Sequence, residues 1–216
     1  MTDQLSQRTG NARDAVRTQT DNAHAQLHLH TSFVALFEGT LSVEDYRLLM
    51  QRFHGFYAPL DLAIEKTIAG MQPTSVRYAY IRRSDLLAQD MVDLKFGALS
   101  ELNSPHCTQA RDIVSPTTLG GVLYVIEGAT LGAPQIDRAA QKLLGNEGLE
   151  GRRFWAWCRA QNKQRWSMAN SYLEQSHAQG VALDDLVKGA RQTFEVLSEW
   201  LAPLNQTKPA VHEALS

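Results

Sequence analysis

The sequence predicts a single all-α domain with roughly six to eight helices, and three observations support this fold class. Hydrophobic residues make up 44% of the 216 residues, which is enough for a substantial core. Almost every long segment repeats its apolar residues with the helical period. No segment alternates apolar and polar residues as a half-buried strand does, and no linker of low complexity divides the chain.

The first two predicted helices have clear sequence signals. Residues 12–28 form the first, because one stripe of that segment is mainly apolar. The members of this stripe are Val16, Thr20, Ala23, His24 and Leu27. The second covers residues 43–69. Ser42, followed three residues later by Asp45, is an N-terminal capping signal, and Gly70 ends the periodic segment.

Four further helices are predicted after these two. They cover residues 75–99 or 84–99, 116–144, 151–176 and 183–201. The helix over 116–144 begins with Ser115 as a cap and Pro116 in the first turn, where a missing N–H costs little. We therefore expect one helical domain over residues 12–203, with flexible segments at 1–11 and 204–216.

Charge and composition exclude several classes of protein. The net charge is −2 and the pI is near 6.4, so no polyanion-binding surface is indicated and nucleic acid is not an expected partner. No run of 18 apolar residues indicates a membrane span, and the polar N-terminus does not resemble a signal peptide. Cys107 and Cys158 are far apart and form no metal motif. A cytoplasmic protein with reduced thiols is the expectation.

The stretch YVIEGATLGAPQI, residues 124–136, combines apolar residues with three helix-weakening ones. Gly128 and Gly132 each cost a helix interior about 1 kcal/mol against alanine, and Pro134 costs about 3 kcal/mol. Because residues four apart are neighbours on a helix, the two glycines are expected on one face. Three interpretations remain open: close helix packing, a bend where Pro134 cannot bond to the carbonyl of Thr130, or a flat ligand lying against bare backbone.

His24 differs from the other six histidines because it shares the apolar stripe of the first helix. One interpretation is a core histidine with both ring nitrogens hydrogen-bonded. The other is an axial ligand to heme iron, since we expect no second ligand beside it at a zinc-like or di-iron spacing. His28 is expected to be solvated.

Four segments resemble one family, in order and spacing, across most of the chain. They are TDNAHAQL at 20–27, LGGVLYVIEGATLGA at 119–133 and, more weakly, RRSDLLAQDMVDL at 82–94 and ARQTFEVLSEWL at 190–201. Together they resemble the heme oxygenases, and in particular the bacterial branch that accompanies bacteriophytochromes and iron-acquisition systems. The resemblance implies that heme lies between the first helix and a glycine-kinked distal helix.

The resemblance also implies roles for particular residues. His24 would be the axial ligand of the heme iron, and the backbone at Gly128 and Gly132 would lie close to the distal face as the catalytic surface. The remaining expected heme contacts are Arg17, Thr20, Phe194 and Arg165, with Lys163 as the alternative to Arg165. Pro134 departs from the family pattern, and its effect on the distal helix is open.

The implied reaction cleaves heme b, which is both cofactor and substrate, to biliverdin, carbon monoxide and ferrous iron. It needs molecular oxygen and external electrons, for which a ferredoxin or a flavoprotein reductase is the expected donor. A bacteriophytochrome is a candidate receiver of the biliverdin. Two alternatives stay open: a heme carrier or sensor that does not degrade its ligand, and a thiaminase II-like hydrolase that uses a cysteine nucleophile.

Overall fold

The computed structural model describes residues 11–72, 75–95 and 105–206, and within these ranges all regular structure is helical. The α-helices are α1 (Ala12–His28), α2 (Thr31–Glu38), α3 (Val43–Gly70), α4 (Ser84–Asp93), α5 (Gln109–Asp112), α6 (Leu119–Gly128), α7 (Ala133–Leu144), α8 (Arg153–Ala178) and α9 (Leu183–Leu201). Two 3₁₀ segments cover Ala129–Gly132 and Ala202–Gln206. The prediction of an all-α fold is confirmed.

The helix boundaries agree well with the sequence where capping signals are strong. Both α1 and α9 span the predicted residues, and α3 extends one residue beyond its predicted end. At the start of α3, the Ser42 hydroxyl oxygen accepts a bond of 3.0 Å from the backbone N–H of Asp45, as the capping signal predicts. The third predicted helix begins at Ser84 rather than Ser75 and ends at Asp93, earlier than the predicted end at residue 99; residues 96–99 lie outside the described residues.

Two short helices, α2 and α5, were not predicted. His30 caps α2 by accepting a bond of 3.3 Å from the Ser32 N–H at its Nδ1 atom, and Gly39 ends the helix in the left-handed conformation at φ 74°. Only two residues separate α1 from α2, too few for a recognisable loop signal. Of the predicted flexible ends, 1–11 and 204–216, residues 1–10 and 207–216 lie outside the described residues, and residues 204–206 belong to the 3₁₀ segment Ala202–Gln206.

Helix α6 lies at the centre of the molecule, with every residue from Leu119 to Glu127 buried. It packs against α8 and α9, and α1 lies along α9. A cluster of buried side chains joins α1 to α6, α8 and α9. Its members are Ala12, Val16, Tyr124, Val125, Leu173, Leu186, Ala190 and Phe194. This cluster joins α1, which packs on α8 and α9, to Tyr124 and Val125 of α6, and this is the arrangement that positions the candidate site.

The single helix predicted over 116–144 is instead two helices joined by a 3₁₀ segment. The break occurs at Ala129–Gly132, and Pro134 is the second residue of α7. The N–H of that position has no intrahelical partner in any helix, so proline fits there without loss. The expected kink therefore comes from the 3₁₀ segment, and Pro134 begins a new helix rather than bending a continuous one. Within the described ranges, no helix is both long and apolar enough to cross a membrane.

Candidate functional site

His24 lies on α1 with an exposed side chain, at the edge of the apolar stripe rather than in its centre. Its ring centroid is 6.0 Å from that of Phe194 on α9, in an edge contact. Its Nε2 atom is 3.1 Å from Nε2 of His28, which stands one turn further along α1. Partial burial, and then the neighbouring His28, lower the pKa of His24 and favour the neutral imidazole. The core-histidine interpretation is therefore wrong, because the ring is accessible and its partner is another exposed histidine.

Two other residues predicted on α1 have different environments. Arg17 is exposed, and its charge acts on Tyr124 of α6. Burial raises the pKa of the Tyr124 phenol, and the cations of Arg13 and Arg17 partly oppose that rise. Thr20 is buried, and its hydroxyl donates a bond of 2.8 Å to the carbonyl of Val16. The charge of Arg17 thus acts on the middle of α6, whereas the hydroxyl proton of Thr20 is bonded within its own helix.

Gly128, the last residue of α6, and Gly132, the last residue of the following 3₁₀ segment, have different surroundings. A Cβ atom added to Gly128 would lie 3.2 Å from the Trp166 ring of α8, and the same ring packs 5.0 Å from that of Tyr124. A Cβ atom on Gly132 would meet nothing within 4 Å. Because the intervening residues are 3₁₀, with about three residues per turn, positions four apart no longer lie on one face. The expectation of a shared glycine face is wrong.

Glu127, directly before Gly128, is the centre of a buried polar network that the sequence did not reveal. Its carboxylate accepts bonds of 2.7 Å from Arg165 and 2.6 Å from the Tyr78 hydroxyl, and it also pairs with Arg83. Burial alone would raise the pKa of Glu127, but the two guanidinium groups and the hydrogen bonds outweigh it and hold the pKa below its usual value. One signal was present: a carboxylate within an otherwise apolar buried run needs a buried partner.

The structure does not support the predicted role of Arg165 as a contact for a heme propionate. Its guanidinium bonds to Glu127, to the Tyr78 hydroxyl at 2.9 Å and to the Ala79 carbonyl at 2.8 Å. Only 2% of the residue is exposed. A buried cation that already has an anionic partner is costly to separate from it. The alternative, Lys163, is exposed on α8 and stays a prediction.

Asp61 of α3 fixes the segment that carries Arg83. Its carboxylate accepts bonds from the backbone N–H groups of Arg83 at 2.9 Å and Ser84 at 2.7 Å, and from the Tyr80 hydroxyl. It therefore caps the start of α4, where no local side chain does so. Burial raises the pKa of Asp61 despite these bonds. The end of α6 is thus joined through Arg83 to both α3 and α4.

A groove of about 500 Å³ between α1 and α9 lies on another edge of α1. Ala15, Gln19, Lys188 and Arg191 are among its lining residues, and it includes none of the predicted heme contacts.

A cysteine-based active site is disfavoured by the surroundings of both thiols. Burial raises the pKa of Cys158 to about 12, so a negligible fraction is thiolate at neutral pH. Burial also raises the pKa of Cys107. In the part of the chain that the structure describes, no three histidine, cysteine or acidic side chains form a metal-binding group. A metal held by a single histidine is the pattern expected when a porphyrin supplies the other ligands.

The fold and this site define a helical protein of the heme oxygenase class. The family model described as heme oxygenase matches residues 11–203, and the chain belongs to that family.

Solved structures with a similar fold include three bacterial heme oxygenases, each 15% identical in sequence and each matching 90% of this chain. Heme oxygenase from Leptospira interrogans aligns over all of its own chain, with a TM-score of 0.75. Heme oxygenase-2 from Synechocystis sp. PCC 6803, solved with heme and NO, aligns over 85% of its chain with a TM-score of 0.74. Heme oxygenase-1 from the same organism, solved with heme, aligns over 94% with a TM-score of 0.67. No curated protein matches the chain.

Proposed function

We propose that this protein is an oxygen- and electron-dependent heme oxygenase that converts heme b to biliverdin, carbon monoxide and ferrous iron. The observation that carries the proposal is the accessible imidazole of His24, on a helix that the core joins to the glycine-containing end of α6. Family membership gives this histidine its context, because the match covers both helices.

The residues around His24 and the end of α6 fit a heme group. Gly132 leaves open space where a side chain would stand, and the neighbouring Leu131 exposes 46% of its surface. Heme needs such an apolar, narrow surface for its ring. Its propionates need cations, and Arg17 is an exposed cation whose charge acts on Tyr124. The Phe194 ring lies in an edge contact with the His24 ring. We propose His24, Arg17, Phe194 and the backbone at Gly128 and Gly132 as the heme contacts, with Thr20 beside them.

Heme, once bound, supplies the iron that activates oxygen and the ring that is cleaved. The chain supplies a neutral ligand, a cation and a helix end that carries no acid of its own. No side chain in Ala129–Gly132 titrates, and the Thr130 hydroxyl donates to the Glu127 carbonyl at 2.6 Å. The Glu127 carboxylate is held ionised by two arginines. The polar groups nearest the glycines therefore offer no free proton, which leaves proton delivery to water.

The partners follow from the same proposal. Electrons would come from a ferredoxin or a flavoprotein reductase, and biliverdin would pass to a bacteriophytochrome or be a by-product of iron release. Both cysteines are free and buried, in keeping with a cytoplasmic protein. The functional unit would be residues 12–203.

The test is the absorption spectrum and turnover of His24→Ala, with His106→Ala as the control because His106 is another exposed histidine. We expect His24→Ala to lose the histidine-ligated ferric spectrum and to cleave heme at least about 100-fold more slowly. Imidazole added to the solution should partly restore both. Unchanged spectrum and turnover in His24→Ala would overturn the ligand assignment. A wild-type protein that binds heme but keeps its Soret band with oxygen and a reductant would be a carrier or sensor instead.

A further inference from the structure

His24 and His28 form a pair of histidines on the exposed side of α1. They are four residues apart, so their side chains stand above one another on the helix. Their ring centroids are 4.5 Å apart with perpendicular planes, and the two Nε2 atoms are 3.1 Å apart. Both side chains are exposed. The expectation that no second ligand stands beside His24 is therefore wrong.

The separation of the two nitrogens matches that of two ligands on one metal ion. A metal–nitrogen bond is about 2.0–2.1 Å long, so two ligands of one ion lie about 2.9 Å apart at a right angle and about 3.4 Å apart at a tetrahedral angle. The observed 3.1 Å falls between these values. Two histidines at this spacing on one helix face are also the ligand arrangement of helical zinc sites.

The charges around the pair also suit a cation. Asp21 stands one turn before His24, and its negative charge acts on the His24 ring. The pair is the N-donor set that favours copper, nickel and zinc over magnesium or calcium. Because no group of three metal-binding side chains occurs in residues 11–72, 75–95 and 105–206, water would complete the coordination.

We infer that the heme-free protein binds a divalent transition-metal ion through Nε2 of His24 and Nε2 of His28. The site does not depend on the proposed function. A second consequence does rest on the proposed function. If His24 is the heme ligand, the metal ion and heme compete for the same imidazole. A divalent ion is then an inhibitor of heme loading, and heme displaces it.

Nickel titration of the heme-free, tag-free protein by calorimetry tests the metal site. We expect His28→Ala to bind Ni²⁺ at least about tenfold more weakly than the wild type, since one of two ligands is lost. The matched control is His106→Ala, which breaks another pair of histidines whose ring centroids are 6.2 Å apart. Its Ni²⁺ affinity at the α1 site should stay within about twofold of the wild type. Equal affinity of His28→Ala and the wild type would overturn the site, and would mean that the pair is only a hydrogen bond between rings.

Heme titration with and without Ni²⁺ tests the competition. The apparent Kd for heme should rise with Ni²⁺ concentration in the wild type and stay constant in His28→Ala, which should still show a histidine-ligated heme spectrum. If Ni²⁺ binds through His28 yet leaves heme affinity unchanged, the metal site stands and His24 is not the heme ligand. If His28→Ala neither binds Ni²⁺ differently nor changes the competition, the metal inference fails while the heme assignment is untouched.

Discussion

Glycines lie near both ends of α6, but their surroundings differ. At the N-terminal end, a Cβ atom on Gly121 would lie 2.6 Å from the backbone nitrogen of Ala190 and closer still to the carbonyl oxygen of Leu186, both on α9. Beyond the C-terminal end, in the 3₁₀ segment, a Cβ atom on Gly132 would meet no atom within 4 Å. At Gly121, the backbone of α9 lies too close for any side chain, so glycine is required there. Gly132 has no such contact.

This difference separates two reasons for glycine in a helical segment. Each glycine lowers helix stability by about 1 kcal/mol against alanine. Close contact between α6 and α9 offsets that loss at Gly121, because side chains elsewhere in the interface can then pack fully. At Gly132, directly before α7, no packing contact within 4 Å of the Cβ position offsets it. Gly132 is the glycine that no packing contact explains, and we therefore assign it to a ligand. Gly128 is intermediate, because Trp166 covers it.

The largest loss of stability should come from breaking the ion network around Glu127, which fixes the end of α6. Glu127→Ala leaves the buried Arg83 and Arg165 without their anion. We expect the free energy of unfolding of the heme-free protein to fall by about 3–5 kcal/mol, as measured in urea. The matched control is Asp112→Ala, which removes an exposed carboxylate paired with Arg111 and should cost less than about 1 kcal/mol. Similar losses in both variants would show that the end of α6 does not depend on the network.

Gly121→Ala should have the next largest effect. The added methyl group meets backbone atoms of α9, which cannot move without separating the two helices. We expect a loss of about 1–3 kcal/mol in the free energy of unfolding of the heme-free protein. Gly120→Ala is the comparison, because its nearest neighbour at 2.7 Å is the flexible end of the Leu186 side chain. A loss for Gly120→Ala as large as that for Gly121→Ala would contradict the distinction between backbone and side-chain neighbours.

Gly128→Ala should change heme-free stability by less than about 1 kcal/mol. The new methyl group would stand 3.2 Å from the Trp166 ring, which has to shift by a few tenths of an ångström, and the gain in helix propensity compensates. The change should be more favourable in a Trp166→Leu background, as a double-mutant cycle would measure. If the cycle shows no coupling, Trp166 is not what Gly128 accommodates.

Gly132→Ala should leave heme-free stability unchanged or raise it by up to about 1 kcal/mol, since the position is open and alanine is the better helix former. Heme turnover should nevertheless fall, because the methyl group enters the space that we assign to the substrate. Thermal unfolding without heme and biliverdin formation with heme are the two measurements. Lost heme-free stability with normal turnover would show that the glycine serves packing and that our assignment of the open face is wrong.

The sequence predicted the parts of the fold that depend on local signals. Helices α1 and α9 have a clear apolar period, and α3 has a capping serine, so their limits were found within one residue. Helices α2 and α5 were missed because eight and four residues are too short for a reliable period. We expected a kink at Pro134, whereas the structure has a break after Gly128. The sequence could not show this, because residue propensities do not distinguish a 3₁₀ segment from an α-helical one.

The site was predicted less completely, because its contacts join distant parts of the chain. Arg165 was assigned to heme from its place on α8, yet its partner Glu127 lies 38 residues away and belongs to another helix. No periodic pattern shows such a pairing. His28 is the opposite case: it stands one turn from His24, a spacing that places the two side chains together on a helix, yet we expected no second ligand there. The family resemblance selected the histidine and the glycines as candidates, whereas their burial and their partners needed the structure.

The 3₁₀ segment after α6 also rotates the next helix, α7, about its axis relative to α6. An α-helix turns about 100° per residue and a 3₁₀ helix about 120°, so Ala129–Gly132 adds roughly 80° of rotation relative to a continuous α-helix. The apolar face of α6 is directed towards α8 and α9, whereas α7 packs against α8 and α2. The added rotation lets one nearly continuous stretch of chain serve two sets of neighbours. An insertion or deletion of a single residue in this segment would therefore turn α7 by about 120°, and so would expose its apolar face rather than merely lengthen or shorten a loop.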